Sequence, residues 1–222
     1  MLHHALRSTQ KGGGDLSFVA SSVWIDITSP YTTAITLPTG IVTGDLIIIV
    51  ERFTAATTGQ PTPAAPTGYT SLAGFKYSTE FLTLQLSYKI AGASESGATV
   101  NSGMSATCTS YAAYALVFRK SPVISSVTPS TFNTIANSEP ADYTITSGSA
   151  VAATLILSAA ATRTSGSIPT HSLGGGGVRL IDDDSLSLVY AIQNTSHSDL
   201  LAAETESASV GAVFINGYLE AA

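Results

Sequence analysis

Leu82-Thr83-Leu84-Gln85-Leu86-Ser87-Tyr88-Lys89-Ile90 alternates between apolar and polar side chains residue by residue. A period of two puts Leu82, Leu84, Leu86, Tyr88 and Ile90 on one face of an extended strand and Thr83, Gln85, Ser87 and Lys89 on the other. Wound as a helix, the same apolar residues would spread around the whole circumference. The stretch therefore predicts a half-buried strand whose outer face, with Gln85 and Lys89, is wet. Upstream, Leu46-Ile47-Ile48-Ile49-Val50 is continuously apolar and follows Gly44-Asp45. That pattern predicts a strand covered on both faces, or one facing a partner subunit. Residues 111–118 are rich in Ala and aromatics, so they form a strand that lets another layer approach closely. No segment carries the apolar spacing and caps of a long helix, and Gly, Pro, Ser and Thr recur throughout. The expected fold class is all-β.

The chain then repeats itself. Phe18-Val19-Ala20-Ser21-Ser22-Val23 resembles Pro122-Val123-Ile124-Ser125-Ser126-Val127, and Ile35-Thr36 resembles Ile145-Thr146. The apolar strand at 46–50 aligns with residues 154–158. Pro66-Thr67 and Ser71-Leu72 align with Pro169-Thr170 and Ser172-Leu173. The alternating strand recurs at 186–192 with Tyr190 opposite Tyr88, and residues 115–118 align with 211–214. Block order is kept, which predicts an internal duplication. The expectation is two tandem β-sandwich, jelly-roll-like units: an N-terminal arm at 1–14, unit 1 at 15–120 and unit 2 at 121–222. A single larger sandwich built from both repeats is the alternative. Pro122 marks the joint, because a proline interrupts a ladder. In the second alternating strand the outer positions are Ser187, Val189 and Ala191. This face is no longer polar, which makes Val189 and Ala191 candidate assembly contacts, with local covering by a loop as the competing reading.

Composition narrows the function classes. Only 11% of the 222 residues are charged while 44% are hydrophobic, and nine Lys and Arg face fifteen Asp and Glu for a net charge of −6. Soluble domains carry roughly 25% charged residues, so this surface is built from Ser, Thr, Ala and Gly, as suits a protein held in an assembly. Nucleic acid is not an expected partner, because no window clusters the basic residues that phosphates require. No apolar run approaches the ~20 residues of a membrane helix, and no secretory leader is legible, so synthesis in a cytoplasm and no membrane partner are expected. The lone Cys108 excludes an internal disulfide and a cysteine zinc site.

Chemistry finds few footholds. There is no Gly-x-Ser-x-Gly elbow. His171 and His197 fall in Gly- and Ser-rich segments that read as loops, His3 and His4 sit near the terminus, and no spacing gathers three or four metal ligands. Asp182-Asp183-Asp184 offers oxygens to a Ca²⁺ ion, but its spacing is not that of a calcium loop, and a solvated turn before the next strand is the simpler reading. Glycoside hydrolysis needs two facing carboxylates; Glu51, Glu80 and Glu95 cannot be paired by spacing, and Glu51 reads as a charge at a strand end. Gly174-Gly175-Gly176-Gly177 lacks the lysine and helix of a phosphate loop. The expectation is no enzyme, no metal and no cofactor. Loops carry the remaining candidates: Tyr69, beyond the proline-rich stretch at 60–68, with Tyr77 and His171. Tyr69, Tyr77 and Trp24 are also the aromatics a carbohydrate-binding or adhesin module would stack on a sugar.

Five short runs carry a resemblance: Leu37-Pro38-Thr39-Gly40, Gly44-Asp45-Leu46-Ile47, Pro66-Thr67-Gly68-Tyr69-Thr70, Tyr88-Lys89-Ile90-Ala91 and Ala115-Leu116-Val117-Phe118-Arg119. Together, over residues 30–119, they resemble a β-sandwich module found in tailed-bacteriophage virion proteins of the head surface, tail and fibres. The second half carries a degenerate copy, with Ala153-Thr154-Leu155 in place of Gly-Asp-Leu and no arginine directly after Phe214. The resemblance implies a fold and no catalytic residues. It also implies a virion structural protein, whether capsid decoration, tail or fibre component, that works by assembly contacts as a homo-oligomer alongside other virion proteins. A host-surface glycan is a further expected partner, and Arg7 and Lys11 in the N-terminal arm are candidate docking contacts.

Overall fold

A computed structural model describes residues 15–22, 25–28, 33–56, 59–104, 109–137, 143–145, 153–163, 170–173, 178–183, 186–194, 201–206 and 212–222. Arg7 and Lys11 lie outside these residues, as do Trp24, Cys108, His3, His4, His197 and the four glycines at 174–177. Among the described residues the chain forms strands and no α-helix. The first half supplies β1 (Ser17–Ser21), β2 (Ile25–Thr28), β3 (Ala34–Thr36), β4 (Leu46–Thr54), β5 (Thr70–Tyr77), β6 (Leu82–Ile90), β7 (Thr99–Asn101) and β8 (Ser110–Arg119). The second supplies β9 (Val127–Pro129), β10 (Asn133–Asn137), β11 (Tyr143–Ile145), β12 (Thr154–Thr162), β13 (Thr170–Leu173), β14 (Val178–Asp183), β15 (Leu186–Gln193), β16 (Leu201–Glu206) and β17 (Ala212–Ala221).

Each half builds one six-stranded antiparallel sheet in the same order. In the first, β1 and β2 share one edge of β8, and the order continues β8-β4-β6-β5. In the second, β9 and β10 share one edge of β17, followed by β12-β15-β14. Even the irregularities coincide. The ladder of β5 with β6 slips by one residue after the pair Ser71–Ser87, and that of β14 with β15 slips after Arg179–Val189. Both slips sit one rung beyond the pairs made by Tyr88 and Tyr190, where an extra residue bends an edge strand. Each half adds a small sheet, β3-β7 in one and β11-β16-β13 in the other.

These ladders also revise the residue-level alignment. Tyr88 pairs with Ile48 and Tyr190 with Leu157, so Leu46 corresponds to Leu155 and not to Thr154. Phe118 pairs with Leu46 and Leu219 with Leu155, so the partner of Phe118 is Leu219 and not Phe214. Ser172 and Leu173 belong to β13, which has no counterpart; the equivalent of β5 is β14. His171 is in that strand, paired with Thr205, and not in a loop. Asp182 and Asp183 end β14 rather than standing free in a turn.

One buried apolar cluster draws residues from both large sheets. Leu46, Ile48, Val50, Leu82, Leu84, Leu86, Leu116 and Phe118 meet Leu155, Leu157, Leu186, Leu188, Tyr190, Ile215 and Leu219. The other face of β4 is covered as well: Ile47, Ile49 and Phe53 pack with Ile35, Leu37, Ile41, Tyr111 and Val117. Two covered faces explain the unbroken apolar run of 46–50. Polar ties join the halves around the cluster. Arg52 donates from Nε to the Thr162 carbonyl at 2.7 Å and from Nη2 to that of Arg163 at 2.9 Å. Arg163 in turn reaches the Ala56 carbonyl at 3.1 Å. The Asn194 amide holds both backbone groups of Leu16.

Two expectations need correcting. The outer face of β6 is not wet: Thr83, Gln85 and Ser87 are fully buried. The loop at 60–66 crosses this face, where the Thr83 hydroxyl donates to the Pro61 carbonyl at 3.0 Å. The Gln60 amide also donates to the Leu82 carbonyl at 2.6 Å. Val189 and Ala191 are likewise interior, at 0% and 5% exposure, in a small cluster with Ile156 and Tyr218. The strand β13 runs close to β15, and Val189 and Ala191 are buried within the chain rather than presented on its surface.

Candidate functional site

The motif residues of the first half converge on turns and on one ion pair. Gly44 (φ +89°) and Gly68 (φ +82°) adopt the left-handed backbone that favours glycine. Around them Asp45 N donates to the Val42 carbonyl at 3.1 Å and Tyr69 N to the Pro66 carbonyl at 2.9 Å, closing four-residue turns. Asp45 pairs through both carboxylate oxygens with Arg119, whose Nη2 also donates to the Gly40 carbonyl at 3.0 Å. Pro-x-Gly, Gly-Asp and the closing arginine are thus parts of one clasp.

Beside the second of these turns Tyr69 lines a cleft of about 330 Å³, together with Leu37, Thr67, Lys89, Ser94, Glu95 and residues 98–102. Lys89 emerges at the open end of the polar row on β6 and pairs with Glu95, Nζ to Oε1 at 2.6 Å. The Lys89 hydrogen bond holds the Glu95 carboxyl below its ordinary value, and Ser94 N adds a donor at 3.2 Å. The same ammonium sits 5.6 Å from the centre of the Tyr69 ring, within range of a cation–π contact. The Tyr69 hydroxyl is buried with no hydrogen-bond partner, and burial, followed by the Glu95 charge, raises its pKa. Lys89 and Glu95 cancel, so the cleft is polar but nearly neutral.

Glu51 lies behind this site. It stands mid-strand in β4, opposite Gln85 of β6 and Ala113 of β8, and not at a strand end as its sequence context implies. Its Oε1 accepts from the Tyr111 hydroxyl at 3.0 Å, while Oε2 has no hydrogen bond of ordinary geometry. Burial pushes its carboxyl up to about 7, against the opposing pull of the Ser102 and Tyr111 hydroxyls. Among the described residues, the buried side-chain polar atoms without a partner are Glu51 Oε2, Tyr69 Oη, Gln85 Oε1 and Ser87 Oγ. Glu51, Gln85 and Ser87 share one face of the first sheet, the face on which Lys89 reaches the cleft.

Of the candidate loop contacts Tyr69, Tyr77 and His171, only Tyr69 lines the cleft. Tyr77 packs its ring against the shared core and uses its carbonyl to accept from Gln60. His171 lies in the second half. Among the described residues no three of His, Cys, Asp and Glu gather as metal ligands. Asn101 and Ser102 are lining residues that the sequence did not single out, and Lys89 and Glu95, named there in other roles, were not expected to meet at one site. The one signal for them was the short spacing between Lys89 and Glu95 across a Gly- and Ser-containing turn. No family model, curated protein or solved structure matches the chain.

Proposed function

We propose that this chain is a structural protein of a tailed-bacteriophage virion, attached to the head or tail as a decoration, tail or fibre component, and acting by assembly contacts rather than catalysis. The observation that carries the reading is the Asp45–Arg119 clasp. The residues by which the first half resembles virion β-sandwich modules meet at one end of the sheet and do structural work there. A resemblance made of such residues speaks for a shared module and not for a shared active site. The proposed partners are copies of the same chain and other virion proteins, and the proposed location is the virion, after synthesis in the host cytoplasm.

We infer further that the halves are two sandwich-like units descended from one duplicated unit and fused through their large sheets. The matching strand orders and the matching slips beside Tyr88 and Tyr190 support this. Independent insertions would rarely fall on the same rung of the same edge strand, whereas bulges persist within a lineage.

Light scattering behind a sizing column tests the assembly part of the proposal. A stable symmetric oligomer is expected, and a monomer at all concentrations and in the presence of virion proteins would count against it. A carbohydrate-binding or adhesin role is the second reading, and the cleft around Tyr69 is the observation that favours it.

A further inference from the structure

We propose that the cleft beside Tyr69 binds a small, neutral, polyhydroxylated ligand, a single sugar unit, between the Tyr69 turn and residues 94–102. Its volume of about 330 Å³ lies at the lower end of the roughly 300–1,000 Å³ of small-molecule sites, enough for a monosaccharide and too little for a chain buried along its length. The chemistry of the walls selects the class. An aromatic ring offers an apolar face to the C–H side of a sugar. The Lys89–Glu95 pair presents a donor and an acceptor side by side without net charge, matching vicinal hydroxyls, each of which both donates and accepts. Asn101 adds an exposed amide from β7.

Charge argues against the competing classes. A phosphate or carboxylate ligand would find one ammonium already engaged at 2.6 Å with a carboxylate, and a cation would find that carboxylate neutralised. An apolar ligand would strand the polar groups of the walls at a cost. The site lies wholly in the first half, and in the second the position of Lys89 is taken by Ala191, since Tyr88 corresponds to Tyr190. The two halves therefore differ in function as well as sequence, with one copy specialised for recognition.

The test is nuclear magnetic resonance on the full chain, titrated separately with glucose, galactose, mannose and N-acetylglucosamine, and with inorganic phosphate as the charged probe. The expected result is saturable shifts at the amides of Gly68, Tyr69, Glu95, Asn101 and Ser102 with at least one sugar. Asn101→Ala should weaken that binding about five-fold, the equivalent of one lost hydrogen bond, while leaving the remainder of the spectrum in place. Absence of saturable shifts at these amides with every sugar overturns the proposal, as does saturation by phosphate alone or binding indifferent to Asn101→Ala. The outcome is independent of the virion reading, which is tested on particles and not on this cleft.

Discussion

Arg119 donates from Nε to Asp45 Oδ1 and from Nη2 to Asp45 Oδ2, each at 2.7 Å, and so ties the last residue of β8 to the turn that starts β4. The carboxylate is 1% exposed and the guanidinium 40%, so the two ends of the pair respond differently to loss of the other. Arg119→Ala strands a buried carboxylate. Allowing for solvent screening on the arginine side, a loss of roughly 1–2 kcal/mol is expected in urea unfolding. Arg119→Lys should recover only part of it, because an ammonium cannot make the two-pronged contact.

Glu51 sets a pH dependence of known sign. Its folded carboxyl is raised to about 7 from an ordinary 4.5, so between those values the folded chain holds a proton that the unfolded chain has released. This group's contribution to stability is therefore lost as pH rises from 4.5 to 7, by roughly 3 kcal/mol in total. Glu51→Gln, which keeps an acceptor for Tyr111, should flatten that slope and raise stability at pH 8. Denaturant midpoints measured across the range check it. Glu95, held low by Lys89, acts in the opposite direction and in a lower window: its contribution is present above pH 4.5 and is lost as pH falls through its depressed pKa.

Arg52 fastens one half to the other through the carbonyls of Thr162 and Arg163. Arg52→Ala should destabilise the chain by about 3 kcal/mol, since charge-assisted bonds to buried carbonyls are each worth roughly 1.5–3 kcal/mol. Arg52→Lys should fall between Ala and the native residue, and chemical denaturation separates the three.

The shared cluster predicts that the two halves unfold together. Phe18, Phe118 and Tyr190 meet there, with ring centroids 5.2–5.9 Å apart. Tyr190→Ala should cost roughly 3–5 kcal/mol and still give a single transition in calorimetry. Two resolved transitions in the native chain would mean that the halves fold separately.

The alternation of 82–90 and the apolar run of 46–50 were readable because strand periodicity is local. What covers each face was not, because the cover comes from distant chain. The loop at 60–66 lies over Thr83, and Gln85 and Ser87 are buried on the same face, yet buried polar residues look the same in sequence as polar residues in water. The same confusion cut β4 short: Glu51 and Arg52 are buried, yet two charges after an apolar run read as its end. The shared strand order of the two halves was foreshadowed by Tyr88 and Tyr190, while β13 and strand lengths that differ between the halves displaced the flanking blocks of the alignment. Tyr69 was legible as an aromatic beside Pro and Gly. Its partners Lys89 and Glu95 were not, because their pairing depends on how the chain turns after β6.

The central claim is that the chain is a component of a virion. Quantitative mass spectrometry of gradient-purified phage particles from cultures that produce the chain is the deciding test. Peptides of this chain are expected in a fixed copy-number ratio to the major virion proteins, retained through repeated banding. Abundant chain in the infected-cell lysate with none in the particles would contradict it.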